Sequence, residues 1–500
     1  MGRLFRPRGC YGTATVTCIR LAGTAGYALA LDMARVITQE EKAAGQELLT
    51  RARAAMAFID HYDQATVDRL CRAIAWATAN EQAFGRLTRM SVEESGMGSA
   101  EGVPARRWKI LGILRDALRT KSVGIIEELP DKQIVKYAKP AGVIAGVLPV
   151  TNPLVTMVNM AINAIKCKDA VIFSPHPLSK NTALEIARVI RAALKKQGAP
   201  EDLVLCLEKP SIPLAQELMA ICDLTIATGG TAMVKAAYSS GKPAFGVGAG
   251  NATVIVDETA DVAEAAMNTR ISKTQNHGSG CSCDGNLLVE ASVYNAFLEQ
   301  LQNEGGYLAS AEEKCKLEKV MWDSEGRRTI ETVARAASVI AEKAGFVLPD
   351  GKTFIIVLED QIGNSHRFSG EKLSPVLAIF RYSGFDNALG MVSQILDVGG
   401  KGHSVGIASL DDSHIHRLAS MAPVSRIMVR QPNVRGNAGS FSNGMPQTAS
   451  LGCGTWGGNI TSENISVKHY MNTTWVSRPI PEDRPSEQEL LGEFYDSEIF

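Results

Sequence analysis

Cys281 stands in a polar, glycine-rich segment, Gln275 to Asn286 (QNHGSGCSCDGN), that runs into the apolar stretch NLLVE. A thiol there lies outside any hydrophobic stripe. Gly280 lets the backbone approach a ligand closely, which an exposed nucleophile needs. The same residues admit two other readings: a structural thiol, or a metal site made of His277, Cys281 and Cys283. The C-x-C spacing with a histidine four residues earlier matches no usual zinc arrangement, and no second ligand cluster accompanies it. No metal is therefore expected. Residue chemistry alone leaves the nucleophile and the structural thiol both open.

Three further glycine clusters are suited to building sites from backbone. In TIATGGTAMVKAA (225–237), Thr228, Gly229 and Gly230 lie between a strand and a helix, where free N–H groups suit a phosphate. The turn is not GxGxxG, and any tight strand-to-helix turn wants glycine, so this signal is weak by itself. FGVGAGN (245–251) reads equally as a loop between domains. LGCGTWGGN (451–459) reads as a compact turn around Trp456, with Cys453 a structural thiol.

These segments need a scaffold, and the chain supplies one. From Thr38 to about Leu118 apolar residues recur three and four apart, the helical period, and Thr38 with Glu41 resembles a capping box. From Ile134 onward β-branched runs alternate with helical ones: AVIFSP (170–175), LVLCLE (203–208), LTIATGG (224–230), then ATVIVD, NLLVE, FIIVLE (354–359) and SPVLAIFRY (374–382). That alternation predicts parallel sheets with crossover helices, an α/β fold in more than one domain.

With 500 residues, 45% hydrophobic and 21% charged, and a net charge of −1, the chain has ordinary globular composition and no basic face for nucleic acid. It contains no apolar run long enough to predict a membrane span. Ten scattered cysteines without a CxxC pair fit a reducing, cytoplasmic compartment. Residues 1–31 carry Arg3, Arg6, Arg8 and Arg20 and no acid. They read either as a targeting segment or as sequence upstream of a start at Met33, and 1–32 is expected to be a disordered extension.

Taken in order, the motifs resemble those of the aldehyde dehydrogenase superfamily in its CoA-acylating branch, over about residues 36–478. KPAGVIAGVLPVTNP is similar to the strand and turn that bring an asparagine, here Asn152, to the active site. VIFSPHPLSK resembles the loop that holds the adenosine ribose, and ATGGTAMV the pyrophosphate turn. SKTQNHGSGCSCDGNLLV resembles the catalytic segment and puts the nucleophile at Cys281 rather than Cys283. EKLSPVLAIF resembles the strand whose glutamate, here Glu371, contacts the nicotinamide ribose. ASLGCGTWGGNITSENISVKH is similar to the branch's C-terminal glycine motif. Hydrolytic relatives keep a glutamate where this chain has Gly246. Without that base water attacks a thioester slowly, whereas a thiol such as coenzyme A does not need it.

The resemblance implies two doubly wound domains with a small oligomerisation arm. It places a cofactor-binding domain at 33–250, a catalytic domain at 251–448, a C-terminal return segment at 449–480 and an acidic tail at 481–500. The hairpin near 122–140 and NTTWVSRP would add edge strands to a partner subunit of a homodimer or homotetramer. In the implied reaction Cys281 attacks an aldehyde, Asn152 and the Cys281 N–H hold the oxyanion, and CoA takes the acyl group as cosubstrate. His277 and His403 are candidate proton carriers. The cofactor is NAD(P), bound by Ser174, His176, Lys180, Thr228, Gly229, Gly230 and Glu371. The SPHPLSK loop offers Ser179 and Lys180 but no carboxylate for the ribose, which favours NADP. Ser279, Gly280 and Arg435 suit an aldehyde with an anionic tail, sulfoacetaldehyde being the specific expectation. The alternatives are acetaldehyde or propionaldehyde as substrate, hydrolytic release of a free acid, or a non-enzymatic protein that keeps the fold.

Overall fold

The computed structural model describes residues 35–101 and 103–495; the extension at 1–32 and the last five residues of the tail lie outside the described residues. Four helices come first: Gln39–Phe58, Gln64–Ala79, Glu81–Ser95 and Val103–Arg119. Thr38 caps the first of them. Its hydroxyl accepts from the Glu41 N–H at 3.2 Å, and the Glu41 carboxylate accepts from the Thr38 N–H at 2.9 Å, so the box is closed in both directions.

Strands β1 (Ile125–Leu129) and β2 (Ile134–Pro140) form an antiparallel hairpin. The next five, β3 (Val143–Val147), β4 (Ala170–Ser174), β5 (Val204–Cys206), β6 (Leu224–Thr228) and β7 (Ala244–Val247), make a parallel sheet in the order β5-β4-β3-β6-β7. Every residue of β3 and β4 is buried, which is why VIAGV and AVIFS are nearly continuous apolar runs without alternation. The helix Pro153–Lys166 is buried along its whole length, packed against helices Gln64–Ala79 and Val103–Arg119.

A second parallel sheet holds β8 (Thr253–Val256), β9 (Asn286–Glu290), β10 (Gly306–Leu308), β11 (Phe354–Glu359), β12 (Val376–Tyr382), β13 (Val405–Ala408) and β14 (Ile427–Val429) in the order β10-β11-β12-β9-β8-β13-β14. Helices alternate with these strands, as the sequence predicts. Each sheet has its own hydrophobic core.

The last strand, β15 (Met471–Ser477), runs antiparallel along β2, from Met471 opposite Pro140 to Ser477 opposite Ile134. The segment NTTWVSRP pairs with β2 of its own chain and, with the β1–β2 hairpin, completes a three-stranded arm. Trp475 on this strand is exposed, with the Lys136 ammonium 4.1 Å from its ring centre. Residues 479–495 are exposed throughout. Among the described residues no helix is long and apolar enough to cross a membrane.

Candidate active site

The register of the second sheet explains how distant parts of the chain meet. Thr253 of β8 lies opposite Asn286 of β9 and Val405 of β13, and Asn286 lies opposite Ala378 of β12. Because these strands are parallel, the segments that lead into them share one edge. Those segments carry Gly250, Cys281, Glu371 and His403. A buried amide and amine lattice ties the edge together. Asn286 Nδ2 donates to Asn251 Oδ1 at 3.0 Å, Asn251 Nδ2 donates to the Ser369 carbonyl at 2.9 Å, and Lys372 Nζ donates to Asn286 Oδ1 at 3.1 Å.

Cys281 is half-buried, and its sulfur is 3.1 Å from His403 Nε2. The other ring nitrogen, Nδ1, is 2.9 Å from Ser404 Oγ. For Nε2 to accept the thiol proton, Nδ1 carries the hydrogen and donates it to that hydroxyl. Arg426 Nη2 donates to the His403 carbonyl at 3.1 Å and to the Gly452 carbonyl at 2.8 Å, fixing the histidine against the C-terminal glycine loop. Burial pushes the Cys281 thiol up to about 12, with Glu371 adding to the rise. Burial, with the nearby Arg426 cation, pushes the His403 imidazole down to about 3. The resting pair is therefore neutral thiol and neutral imidazole, and the proton moves only as the sulfur attacks.

Gly250 is required at its position. A Cβ there would collide with the carbonyl oxygen of Cys281, so only glycine lets β7 cross to β8 this close to the thiol. The Gly250 N–H donates to Glu371 Oε1 at 3.1 Å, and burial raises the Glu371 carboxyl to about 7. Gly246, the position at which the resemblance noted above sets this chain apart from hydrolytic enzymes, lies in β7. A Cβ there would meet Val234 Cγ1 at 2.6 Å and the Tyr238 ring at 2.8 Å, so the place is already filled by side chains of the helix Thr231–Tyr238.

Cys283 differs from Cys281. It is buried, its sulfur lies 3.0 Å from the Ser272 carbonyl, and it faces the helix Val262–Thr274. Beside it Lys273 Nζ donates to the Asp284 carbonyl at 2.8 Å and Ser272 Oγ donates to Asp284 Oδ1 at 2.8 Å. This packing locks the C-terminal half of the loop. Cys453 is buried behind the glycine loop, its N–H donating to Asn459 Oδ1 at 2.8 Å.

Asn276 organises the other half of the loop. Its backbone is left-handed (φ 51°), as is that of His277 (φ 54°). Its Nδ2 donates to Ser279 Oγ at 2.8 Å and to the Thr151 carbonyl at 3.4 Å. That bond holds the turn before the helix Pro153–Lys166, and with it Asn152, against the loop that carries Cys281. The Asn152 carbonyl accepts from Thr156 Oγ1 at 2.8 Å, while its exposed side chain makes no capping bond and is free to donate. His277 is half-buried, with its imidazole pushed down by burial.

Apart from Glu371, the residues expected to bind the cofactor lie at the C-terminal ends of the strands of the first sheet. Thr228 ends β6, Gly230 precedes the helix Thr231–Tyr238, and the space over Gly230 is open. An anion could approach the helix N-terminus directly. Thr228 Oγ1 is 3.3 Å from Ser450 Oγ, which joins this turn to the loop that also holds Arg426 and His403. Ser174 ends β4 and is buried. His176 caps the short turn Pro177–Ser179 by accepting the Leu178 N–H at 3.1 Å, and Lys180 is exposed. Glu94 spends its carboxylate on Asn181 N (2.8 Å), Thr182 N (2.8 Å) and Thr182 Oγ1 (2.6 Å), capping the helix Lys180–Lys196. These groups fit a dinucleotide: open backbone donors for the pyrophosphate, and cationic and hydroxyl groups at the ribose end.

Of the residues expected to meet the aldehyde, Ser279 is buried and bonded to Asn276 as described. Gly280 faces a Val434 methyl, which a Cβ would approach to 3.3 Å. Arg435 is exposed, and its Nε donates to Gln275 Oε1 at 3.2 Å. Sequence reading singles out the loop and both histidines but not Gly250, Asn276 or Arg426. The one available signal was their place in polar, glycine-rich stretches beside strands.

A profile described as the aldehyde dehydrogenase family matches residues 34–475. The chain is 42% identical over 451 residues to a sulfoacetaldehyde dehydrogenase of an Acholeplasma species, covering 89% of this chain and 93% of that one. It is 39% identical over 456 residues to an acylating sulfoacetaldehyde dehydrogenase of Bilophila wadsworthia, covering 90% and 98%. Among solved structures, an acetylating aldehyde dehydrogenase from Geobacillus thermoglucosidasius superposes with a TM-score of 0.86 at 33% identity, covering 91% of this chain and 99% of that one.

Proposed function

This chain belongs to the aldehyde dehydrogenase family, as an NAD(P)-dependent member of its CoA-acylating branch, and from that premise we propose that it converts sulfoacetaldehyde to sulfoacetyl-CoA through a thioester on Cys281. The observation that carries the assignment of Cys281 is its 3.1 Å contact with His403.

His403 Nε2 takes the thiol proton as the Cys281 sulfur bonds to the aldehyde carbon. The carbonyl oxygen becomes an oxyanion, held by the Asn152 side-chain amide and the Cys281 N–H. Each such donor is typically worth about 3 kcal/mol. The bound nicotinamide supplies the hydride acceptor. Thr228, Gly229 and Gly230 would hold its pyrophosphate, Ser174, His176 and Lys180 its ribose end, and Glu371 its nicotinamide ribose. Loss of hydride from the adduct leaves a thioester on Cys281. The proton held on His403 passes to solvent; His403 then takes the thiol proton of CoA as the CoA sulfur attacks the thioester carbon, and the departing Cys281 sulfur takes that proton from His403. Water competes poorly because no base stands where hydrolytic relatives keep one. The absence of a ribose carboxylate on the SPHPLSK loop, with Glu94 already engaged, supports NADP over NAD.

Sulfoacetaldehyde as substrate rests on the two relatives above and on the polar residues before the thiol. The test is a turnover screen with sulfoacetaldehyde, acetaldehyde, propionaldehyde and succinic semialdehyde, each with and without CoA, under NAD and NADP. Sulfoacetaldehyde with CoA and NADP is expected to give the highest kcat/KM. A preference for acetaldehyde or propionaldehyde would refute the substrate and leave the acylating chemistry standing; free acid formed equally well without CoA would refute the acylating step.

A further inference from the structure

Arg106 lies in the first turn of the helix Val103–Arg119 and is half-buried. Its Nη1 donates to Asn276 Oδ1 at 2.9 Å and its Nη2 to the Ser99 carbonyl at 2.6 Å. Both acceptors are neutral. Its Nε is buried and, among the described residues, has no partner. Burial depresses the basicity of this guanidinium with no carboxylate offsetting it. Taking a cation out of water without a counter-ion is costly, and chains retain such a group where an anion completes it.

The surroundings hold this cation in place. Asn276 Oδ1 also accepts the Ser99 N–H at 3.0 Å, and a Cβ on Gly98 (φ 82°) would strike that same oxygen at 2.5 Å. Gly98 is tied to the catalytic domain through its N–H to the Ala334 carbonyl at 2.9 Å, and Arg335 donates to the Gly96 carbonyl. The path to the reacting sulfur is short. Asn276 bonds Arg106 on one side and Ser279 on the other, and Ser279 is two residues from Cys281, at most about 7 Å of chain. Ser279 Oγ accepts from Asn276, so its own hydrogen remains available to a ligand.

We propose that Arg106 and Ser279, joined by Asn276, form the subsite that binds the anionic end of the aldehyde, a sulfonate or carboxylate oxygen cluster one carbon away from the carbonyl that Cys281 attacks. This inference rests on the substrate reading above and names the residues that would enforce it. Arg106 Nε–H and Ser279 Oγ–H donate to the tail oxygens, and an uncharged alkyl tail would leave the cation buried and unpaired. Specificity follows from that penalty as much as from the attraction. Arg435, exposed and turned to Gln275, is then not the group that reads the tail.

The experiment measures kcat/KM for sulfoacetaldehyde and for propionaldehyde, with CoA, in the full-length chain and in Arg106→Met, Arg106→Lys and Arg435→Ala. The ratio of the two is expected to fall roughly 100-fold in Arg106→Met, with part of it retained in Arg106→Lys. In parallel, isethionate is used as an unreactive anionic probe. It is expected to slow alkylation of Cys281 by iodoacetamide saturably in the wild type and to lose that effect in Arg106→Met. The wild-type protection measurement stands even if a variant fails to fold. A proportional fall for both aldehydes, or no protection of the wild type by isethionate, overturns the subsite while leaving sulfoacetaldehyde as the substrate. A ratio lost in Arg435→Ala and kept in Arg106→Met assigns the tail to Arg435. A wild type that prefers propionaldehyde overturns the substrate reading and the subsite together.

Discussion

The imidazole Nε2 of His403 stands 3.1 Å from the sulfur of Cys281, although 122 residues separate them in the chain. Burial holds the thiol protonated and the imidazole neutral, so the pair is a thiol beside a base rather than a preformed thiolate–imidazolium. The following expectations derive from this pair and its frame.

Alkylation of Cys281 should report the raised thiol directly. With its pKa pushed up to about 12, the thiolate fraction rises about tenfold per pH unit through the neutral range. Iodoacetamide labelling of the free enzyme is expected to climb accordingly between pH 7 and pH 9. A rate that is flat over that window would show a preformed ion pair instead. His403→Ala is expected to lower kcat by about 10²–10⁴, the usual range for a lost general base.

The two neighbouring cysteines should behave oppositely. Cys281→Ala is expected to abolish turnover with the melting temperature nearly unchanged. Cys283→Ala keeps most activity and loses about 1 kcal/mol of stability, because its buried sulfur packs behind the loop against Ser272. Turnover by Cys281→Ala with a dead Cys283→Ala would shift the nucleophile by two residues.

Glu371 carries a pH signature. Burial raises its carboxyl from the ordinary range to about 7. The folded state then holds the proton more tightly than the unfolded chain, so stability falls as pH rises from the ordinary carboxylate pKa to about 7, and the cost is complete above that. Glu371→Gln removes the cost. Its melting temperature is expected to exceed that of the wild type by on the order of 5 °C at pH 8, and the gain should vanish near pH 4. A gain independent of pH would mean that the charge is not what is paid for.

Gly246→Glu should not create a hydrolytic enzyme. Val234 and Tyr238 fill the space that a side chain would need, so the expected result is a lower melting temperature and no rise in free acid when CoA is withheld. Efficient CoA-independent acid release by this variant would show that the missing carboxylate alone separates the two outcomes.

Much of this was legible from residues alone. The alternation of β-branched and helical runs named two parallel α/β sheets, because buried strands and crossover helices impose different apolar periods on local sequence. The polar, glycine-bounded setting of Cys281 marked it as a candidate thiol, and the Thr38–Glu41 box closed as written, since caps are made within one turn. The sequence did not show that His403, rather than His277, touches the sulfur, that Gly250 rather than Gly280 bears the closest backbone approach, or that Arg106 sits uncompensated behind Asn276. Nor did it show that NTTWVSRP would lie along β2 of the same chain. Each of those depends on residues well separated in the chain, more than a hundred positions apart except for Gly250 and Cys281, being brought together by strand order, register and packing. Local chemistry determines which groups are able to react; the pairing of parallel strands, which no short stretch encodes, decides which of them meet.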